Sequence, residues 1–386
     1  MRAWAGKTTY VAALGSLAAV TPLLLGAQVD PARLSTSFGP ARVVTVSTAA
    51  EAAQRIKNST GELTIRLEPG NYGELIIRDR EAGGQLTIES ADRHAPAVIT
   101  RLRLNGADRT LIQDVIIKAS GPLGPAEHLV TIRKSNNVAL ERVRIEGADR
   151  NQGGGLLLRA GEYLRVEGST ISGFRYGISM QDLRDVRIEG NELYGLRTDA
   201  IRGGGVSDLL VASNVIGDFF PAPADHPDGI QLWSKGEERA ARNIVIRDNL
   251  LVRGKGDPFQ GIFIRDNLTQ LPFENVRVSG NLVIGSMSHG ISFNGLANGD
   301  IAENEVVAFP DAEAWIYVDR ATDVRLTSNR AMKIVIRRSA EVSEQGNELT
   351  MSRAAASATL TIRHWFNAKP DVQQVQGPYL SSLLGN

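Results

Sequence analysis

Cysteine is absent from all 386 residues, so no disulfide framework, thiol nucleophile or cysteine-held lipid anchor is available. Aromatic side chains are scarce at 5% of the chain, against 42% for hydrophobic residues together, which leaves the core to aliphatic side chains. Neither sign of charge is in excess. Forty-three basic residues match 43 acidic ones, so no global field recruits nucleic acid or an anionic membrane, and a charged polymer has to be held locally. Walker loops, zinc-ligand spacings, dinucleotide fingerprints and nucleophile elbows are missing too. No apolar run reaches bilayer length. The nearest, Tyr10 to Leu25, is broken by Pro22, follows Arg2 and Lys7, and ends in Gly26-Ala27-Gln28. That pattern is expected of a secretory signal peptide over residues 1–27, with a linker over 28–41 and export to the periplasm or beyond.

What the chain has instead is a repeat. Six times a small or aromatic residue precedes an isoleucine that opens an apolar strand: Tyr176-Gly177-Ile178, Asp199-Ala200-Ile201, Asp228-Gly229-Ile230, Gln260-Gly261-Ile262, His289-Gly290-Ile291 and Ala314-Trp315-Ile316. The isoleucines are separated by 23, 29, 32, 29 and 25 residues, a period at which solenoids are built. A second repeated strand ends in asparagine at 191, 214, 249 and 281, with weaker copies at Asn304, Asn329 and Asn347 and with Ser169 in an earlier coil. Stacked in register, these side chains form an interior turn ladder. The strands alternate apolar and polar residues, and no helix-forming segment recurs, which favours a β-helix over a propeller or a leucine-rich repeat. Residues 42–350 are expected to form this domain, with a short helix over Ala49 to Ile56. Thr359 to Arg363 reads as one more strand, within a cap or tail over 351–386.

Equivalent residues of stacked coils lie side by side, so the residue two before each isoleucine forms a column: Tyr176, Asp199, Asp228, Gln260, His289 and Ala314. Adjacent strands are about 4.8 Å apart, which sets Asp199 and Asp228 about 5 Å apart and His289 about 10 Å from Asp228. Two carboxylates that close either raise one pKa, giving a general acid, or share a cation such as Ca²⁺. Two outward rows flank the column, one of Ser179, Arg202, Gln231, Phe263, Ser292 and Tyr317, the other of Gln181, Gly204, Trp233, Arg265, Asn294 and Asp319. Arg, Gln, Asn and exposed aromatics suit a sugar-binding floor, with rings stacking on pyranose faces and guanidinium groups taking carboxylates. A long loop, Phe219 to Pro227, adds Asp225 and His226 beside Asp228. His128 is a further candidate for the column but, several coils from Asp228, reads as a surface or cap residue. Lys235 or Lys255 with Arg265 provides a fallback base and acid.

The segment Leu63 to Ile88, with its Pro69-Gly70-Asn71-Tyr72 turn, is similar to the opening of right-handed parallel β-helix proteins, where a helix caps the first coil. At the column, Asp228-Gly229-Ile230 and His289-Gly290-Ile291 resemble the paired strands of mannuronan C5-epimerases and related alginate lyases, although Asp225-His226-Pro227 permutes their Asp-Pro-His motif. Ser288-His289-Gly290-Ile291-Ser292 also resembles polygalacturonase-type glycoside hydrolases, but Phe259-Gln260 stands where that family has an Asp-Asp pair. The resemblance implies an all-β, right-handed parallel β-helix that acts on a uronic-acid-containing polysaccharide by β-elimination or C5-epimerisation. Asp228, His289 and Asp199 are the expected catalytic residues. Arg202, Gln231, Trp233, Arg265, His226, Asn294, Phe263 and Tyr317 would hold substrate, and Asp225 with Asp199 would hold any Ca²⁺. A monomer is expected. The alternatives are a β-helix glycoside hydrolase and a non-catalytic glycan binder.

Overall fold

The computed structural model describes residues 42–80 and 83–385; the proposed signal peptide and linker lie outside them. From Arg42 to Leu349 the chain winds as a solenoid in which every strand pairing is parallel, as expected of a β-helix. Each coil has three faces. The third face is a separate sheet of 11 strands, whereas the first two are joined in one 18-stranded sheet. They are joined because strands such as Gly154–Glu167, Tyr176–Glu189 and Ile201–Ala212 run through the corner between them. Each bends there at two residues with left-handed backbone: Ala160 and Tyr163 (φ 54° and 57°), Asp182 and Asp185 (φ 54° and 52°), and Gly205 and Asp208 (φ 64° and 55°).

The period works as a packing rule. Ile178, Ile201, Ile230, Ile262, Ile291 and Ile316 are in register on the first face and all are fully buried. Each such side chain contributes about 2–3 kcal/mol of transfer free energy. At the corner between the second and third faces one left-handed residue precedes each ladder position, as at Gly190, Ser213, Asp248, Gly280, Glu303 and Ser328. It turns the next side chain inward. The Oδ1 of Asn249 then accepts from the backbone N–H and the Nδ2 of Asn214 (3.0 and 2.9 Å), and Asn249 Nδ2 donates to Asn281 Oδ1 (2.9 Å) and Val211 O (3.0 Å). The pattern extends from Ser169 to Asn347, so the buried turn amides are satisfied within the stack.

At the N-terminal end, helix α1 (Ala49–Lys57) is capped by Thr48 and buries Ala52 and Ile56 against the first coil. Tyr72, from the Pro-Gly-x-Tyr turn, donates to Val46 O (2.7 Å) and fastens that end. The strand expected over Thr359 to Arg363 is instead part of helix α2 (Ala358–Asn367), followed by α3 (Pro378–Leu384). The period-2 reading sets Leu360 and Ile362 on one face. Ile362 and Trp365, three apart, are in fact the buried pair, and Leu360 is 73% exposed. Both helices lie on the third face, against Val215, Leu250, Leu282, Ile284 and Val307. The buried Glu192 carboxylate accepts the Tyr379 and Leu380 amides (3.2 and 2.7 Å) and pins the start of α3. Among the described residues no helix is long and apolar enough to cross a membrane.

Candidate active site

Side chains of the first face line a floor bordered on one side by loop 220–227 and on the other by loop 234–241. The register confirms the column for Tyr176, Asp199, Asp228, Gln260 and His289, since their isoleucines pair in turn and Asp228 pairs directly with Gln260. It departs at the end: the register shifts between His289 and Ile291, so Trp315 rather than Ala314 lies beside His289. In the five earlier copies the residue before isoleucine is Gly or Ala. At Gly290 even a methyl would lie 2.3 Å from Val306 Cγ1. Trp315 cannot occupy such a position, so the strand slips and its ring turns to the floor. Tryptophan in place of the small residue was the visible signal.

Asp228 is 2% exposed and Asp199 4%. The Asp228 backbone N–H donates to Asp199 Oδ1 (3.3 Å), and Arg202 Nη1 donates to Asp199 Oδ2 (3.0 Å). Asp228 shares Arg202 only at longer range, with no ion pair of its own among the described residues. Gln231 Nε2 donates to its Oδ2, whereas its Oδ1 is buried without a hydrogen-bond partner among the described residues. Burial, and then the Asp199 charge, raise the Asp228 pKa well above that of an ordinary carboxyl. Burial also pushes Asp199 up, to about 6, against the pull of Arg202. The pair therefore holds a proton where solvent carboxylates have none, and Asp228 is its natural seat.

His289 is enclosed by Phe263, Trp315 and Tyr317, with ring centroids 5.4, 5.9 and 5.6 Å away. Burial lowers its pKa and keeps the imidazole neutral. Its Nδ1 is 3.1 Å from Gln260 Oε1, and Gln260 Nε2 is 3.1 Å from His226 Nδ1. On the other side of the acids, Arg202 lies over Tyr176 and Trp233, 4.2 and 5.1 Å from the ring centroids. The floor thus runs from a cation–π cluster, through a protonated acid, to a neutral imidazole walled by aromatics.

The remaining expected residues are distributed less evenly. Arg265 is exposed in the outward row, free to turn over the floor. Asn294 hydrogen-bonds Asp319 (3.0 Å) and Arg320, so its amide is tied to the next coil. Asp225 is held by Arg197 (2.6 Å) and the Ala222 amide (2.8 Å). A calcium ion at Asp225 and Asp199 would have to displace Arg197 and Arg202, and among the described residues no three His, Asp or Glu side chains converge as metal ligands. Lys255 donates its backbone N–H to Asp218 (2.8 Å) at the corner with the third face.

His128, expected at the surface or cap, belongs to the column. It pairs with Gly154, which pairs with Tyr176, and its Nε2 lies 3.3 Å from Ser179 Oγ. It crosses the intervening coil because Gly154 has no side chain; a methyl there would lie 2.3 Å from the His128 ring. A cleft of about 1080 Å³ opens at the corner between the first two faces, but neither histidine nor an aromatic residue lines it.

Comparison with known proteins agrees with this architecture. A structure of an alginate lyase from Paenibacillus sp. str. FPU-7 superposes with a TM-score of 0.50 at 17% identity, covering 79% of this chain and 98% of that one. A surface adhesin of Streptococcus pneumoniae gives 0.49 at 10% identity over 77% of this chain and 86% of its own. A mannuronic acid specific polysaccharide family 6 lyase from human gut microbiota gives 0.47 at 12% identity over 89% and 98%. At 17% identity the likeness to the alginate lyase structure is one of fold alone. No curated protein matches the sequence. The model of the family described as "Right handed beta helix region" matches residues 101–307. This span holds the column from His128 to His289 and most of the asparagine ladder, so the chain belongs to the right-handed β-helix family.

Proposed function

We propose that this protein is an exported polysaccharide-processing enzyme that acts on uronic-acid-containing chains by removing the proton α to the sugar carboxyl group. The single observation that supports it most is the buried Asp228, whose Oδ1 has no hydrogen-bond partner among the described residues and whose pKa burial raises, separated by one residue of the same column from His289, whose pKa burial lowers. Acid and base are thus both in their working protonation states at one pH. In this reading His289 Nε2 takes the C5 proton, and the electron pair moves toward the carboxyl group. In β-elimination that pair then expels the C4 oxygen, which takes the Asp228 proton. In epimerisation C5 is instead reprotonated from the opposite face. Arg202 and Arg265 would hold carboxylates, while Trp233, Phe263, Tyr317 and Trp315 would stack on sugar rings.

A second reading has its own support. Asp199 and Asp228 are on adjacent strands, about 5 Å apart by strand spacing, near the separation of the carboxyl pair in a retaining glycosidase. Incubation with a panel of polyuronates and neutral glycans distinguishes the two. Absorbance of an unsaturated uronate appearing with new reducing ends supports elimination. Deuterium incorporation at C5 in heavy water, without new ends, supports epimerisation. New ends without absorbance or deuterium transfer the assignment to hydrolysis, and silence in all three channels rejects catalysis on this panel.

A further inference from the structure

Gln260 occupies the column position between Asp228 and His289, where a polar side chain of no evident chemistry is buried to 9% exposure. The two ends of its amide are chemically different: Nε2 only donates and Oε1 only accepts. Both are engaged with imidazole rings. Because Nε2 donates to His226 Nδ1 (3.1 Å), that nitrogen carries no proton. Because Oε1 accepts from His289 Nδ1 (3.1 Å), that nitrogen does. We propose that Gln260 is a positioning residue that locks His289 in the Nδ1–H tautomer, with its Nε2 lone pair turned to the floor, and that His226 in turn fixes the orientation of the Gln260 amide.

The surroundings are built for such a relay. Ile262 is buried two residues on, so the strand cannot rotate Gln260 away. The Gln260 backbone N–H donates to Pro227 O (2.9 Å), which ties the strand to the loop that carries His226. The same loop is clamped one residue earlier, where Asp225 meets Arg197 and the Ala222 amide. A solvent-facing histidine is thus delivered to a fixed point. Phe263, Trp315 and Tyr317 close the other sides of His289, so Gln260 is its one hydrogen-bond partner among the described residues.

An amide suits this place where a carboxylate would not. The titratable or charged groups around His289 among the described residues are Tyr317 beside it, His226 and Asp228 beyond Gln260, Arg337 over the Tyr317 ring, and Lys333 paired with Glu313 at the rim by Trp315. None of them ion-pairs with His289. A negative charge at 260 would favour imidazolium and remove the base, and it would lie next to Asp228 and disfavour ionisation there as well. The neutral amide orients His289 without changing its charge.

This inference deepens the proposed proton abstraction, yet its first test needs no substrate. The chain has five histidines, so the imidazole nitrogens of the full-length protein, labelled with ¹⁵N, can be assigned one by one. The expected spectrum shows His289 with a protonated Nδ1 and a bare Nε2, and His226 with the reverse. Gln260→Leu should leave His289 a mixture of tautomers, with far-UV circular dichroism unchanged. The near-isosteric Gln260→Glu should raise the His289 pKa and move the acid limb of kcat/KM to higher pH. With a polyuronate that turns over, Gln260→Leu should lower kcat about 10- to 100-fold with KM nearly unchanged, the scale on which groups orienting a ligating histidine act. A wild-type His289 protonated on Nε2, or a tautomer unaffected by Gln260→Leu, overturns the proposal. The expected tautomer without turnover of any polyuronate leaves it standing and counts against the proton-abstraction reading instead.

Discussion

At the scale of single residues, Asp228 should trade stability for activity. Its pKa is raised in the folded state by burial and by Asp199, so above the ordinary carboxyl value of 3.8 the folded protein keeps a proton that the unfolded chain has released. Stability from this group is therefore full at low pH and declines as pH rises toward the folded pKa. Asp199 adds the same sign between 3.8 and about 6. Asp228→Asn should then raise Tm at pH 8, by the equivalent of about 1–3 kcal/mol for an unpaired buried polar group, and change it little at pH 4. The same variant should lose about 10²- to 10⁴-fold in kcat, the range for removal of a general acid. A scan of Tm against pH beside a rate measurement checks both, and a Tm below wild type at pH 8 contradicts the ledger of charges. For His289, whose pKa is lowered by burial, the base should fail only below the ordinary imidazole value of 6.5. Rate against pH should form a bell with its acid limb set by His289 and its alkaline limb by Asp228, and His289→Ala should remove the acid limb. The column was legible because a period gives register and register gives neighbours. What lay beyond the sequence was the direction of each side chain: nothing in Gln260 announces that its amide joins two imidazoles, and His226 reaches it only through a loop whose clamp, Arg197 to Asp225, spans 28 residues.

At the scale of elements, the ladder and the outer face follow different rules. An asparagine in the ladder satisfies groups in its own coil and in both neighbours: Asn249 bonds Asn214, Asn281, Val211 O and Arg247 O. Asn249→Ala leaves the Asn214 backbone N–H buried without its acceptor, which costs about 1–3 kcal/mol for that unsatisfied group. Thermal unfolding should show a loss of that order, while initial rates at low temperature stay at the wild-type level, because position 249 is in the interior ladder at a different corner from the column. A fall in rate that precedes any change in Tm would mean that the stack transmits strain to the floor. The ladder was legible in the repeat of Asn after an apolar strand, as was the N-terminal helix. The C-terminal helices were not, because Thr-Leu-Thr-Ile carries a strand period over four residues, and only the partner across i, i+3, Trp365, reveals that it is helical. Their docking depends on Glu192, a buried carboxylate that reads as an ordinary polar strand residue until α3 is seen to start on it.

At the scale of the whole molecule, a stack of parallel coils has two ends, and each is a template for further strands. Helix α1 covers the first coil, but α2 and α3 lie along the third face and leave the last coil, residues 333–349, as the open end. Its inward positions are only half-buried at Ile334, Ile336 and Val342, and Leu349 is 73% exposed. One inward position, however, breaks the apolar column: Glu344 pairs with Leu326 and hydrogen-bonds Asn347 at 3.4 Å. A charge beneath the core permits this coil to end the stack, because a further coil or a second molecule seated there would bury it unpaired. Glu344→Leu restores the apolar column and should keep the chain folded, while light scattering at increasing concentration shows more end-to-end association than wild type. Association should be reduced again by adding Val342→Lys, which returns a charge to the same end. Should Glu344→Leu stay as monodisperse as wild type at every concentration, the inward carboxylate is not what stops the stack, and the outward charges Lys333, Arg337 and Glu341 would have to suffice.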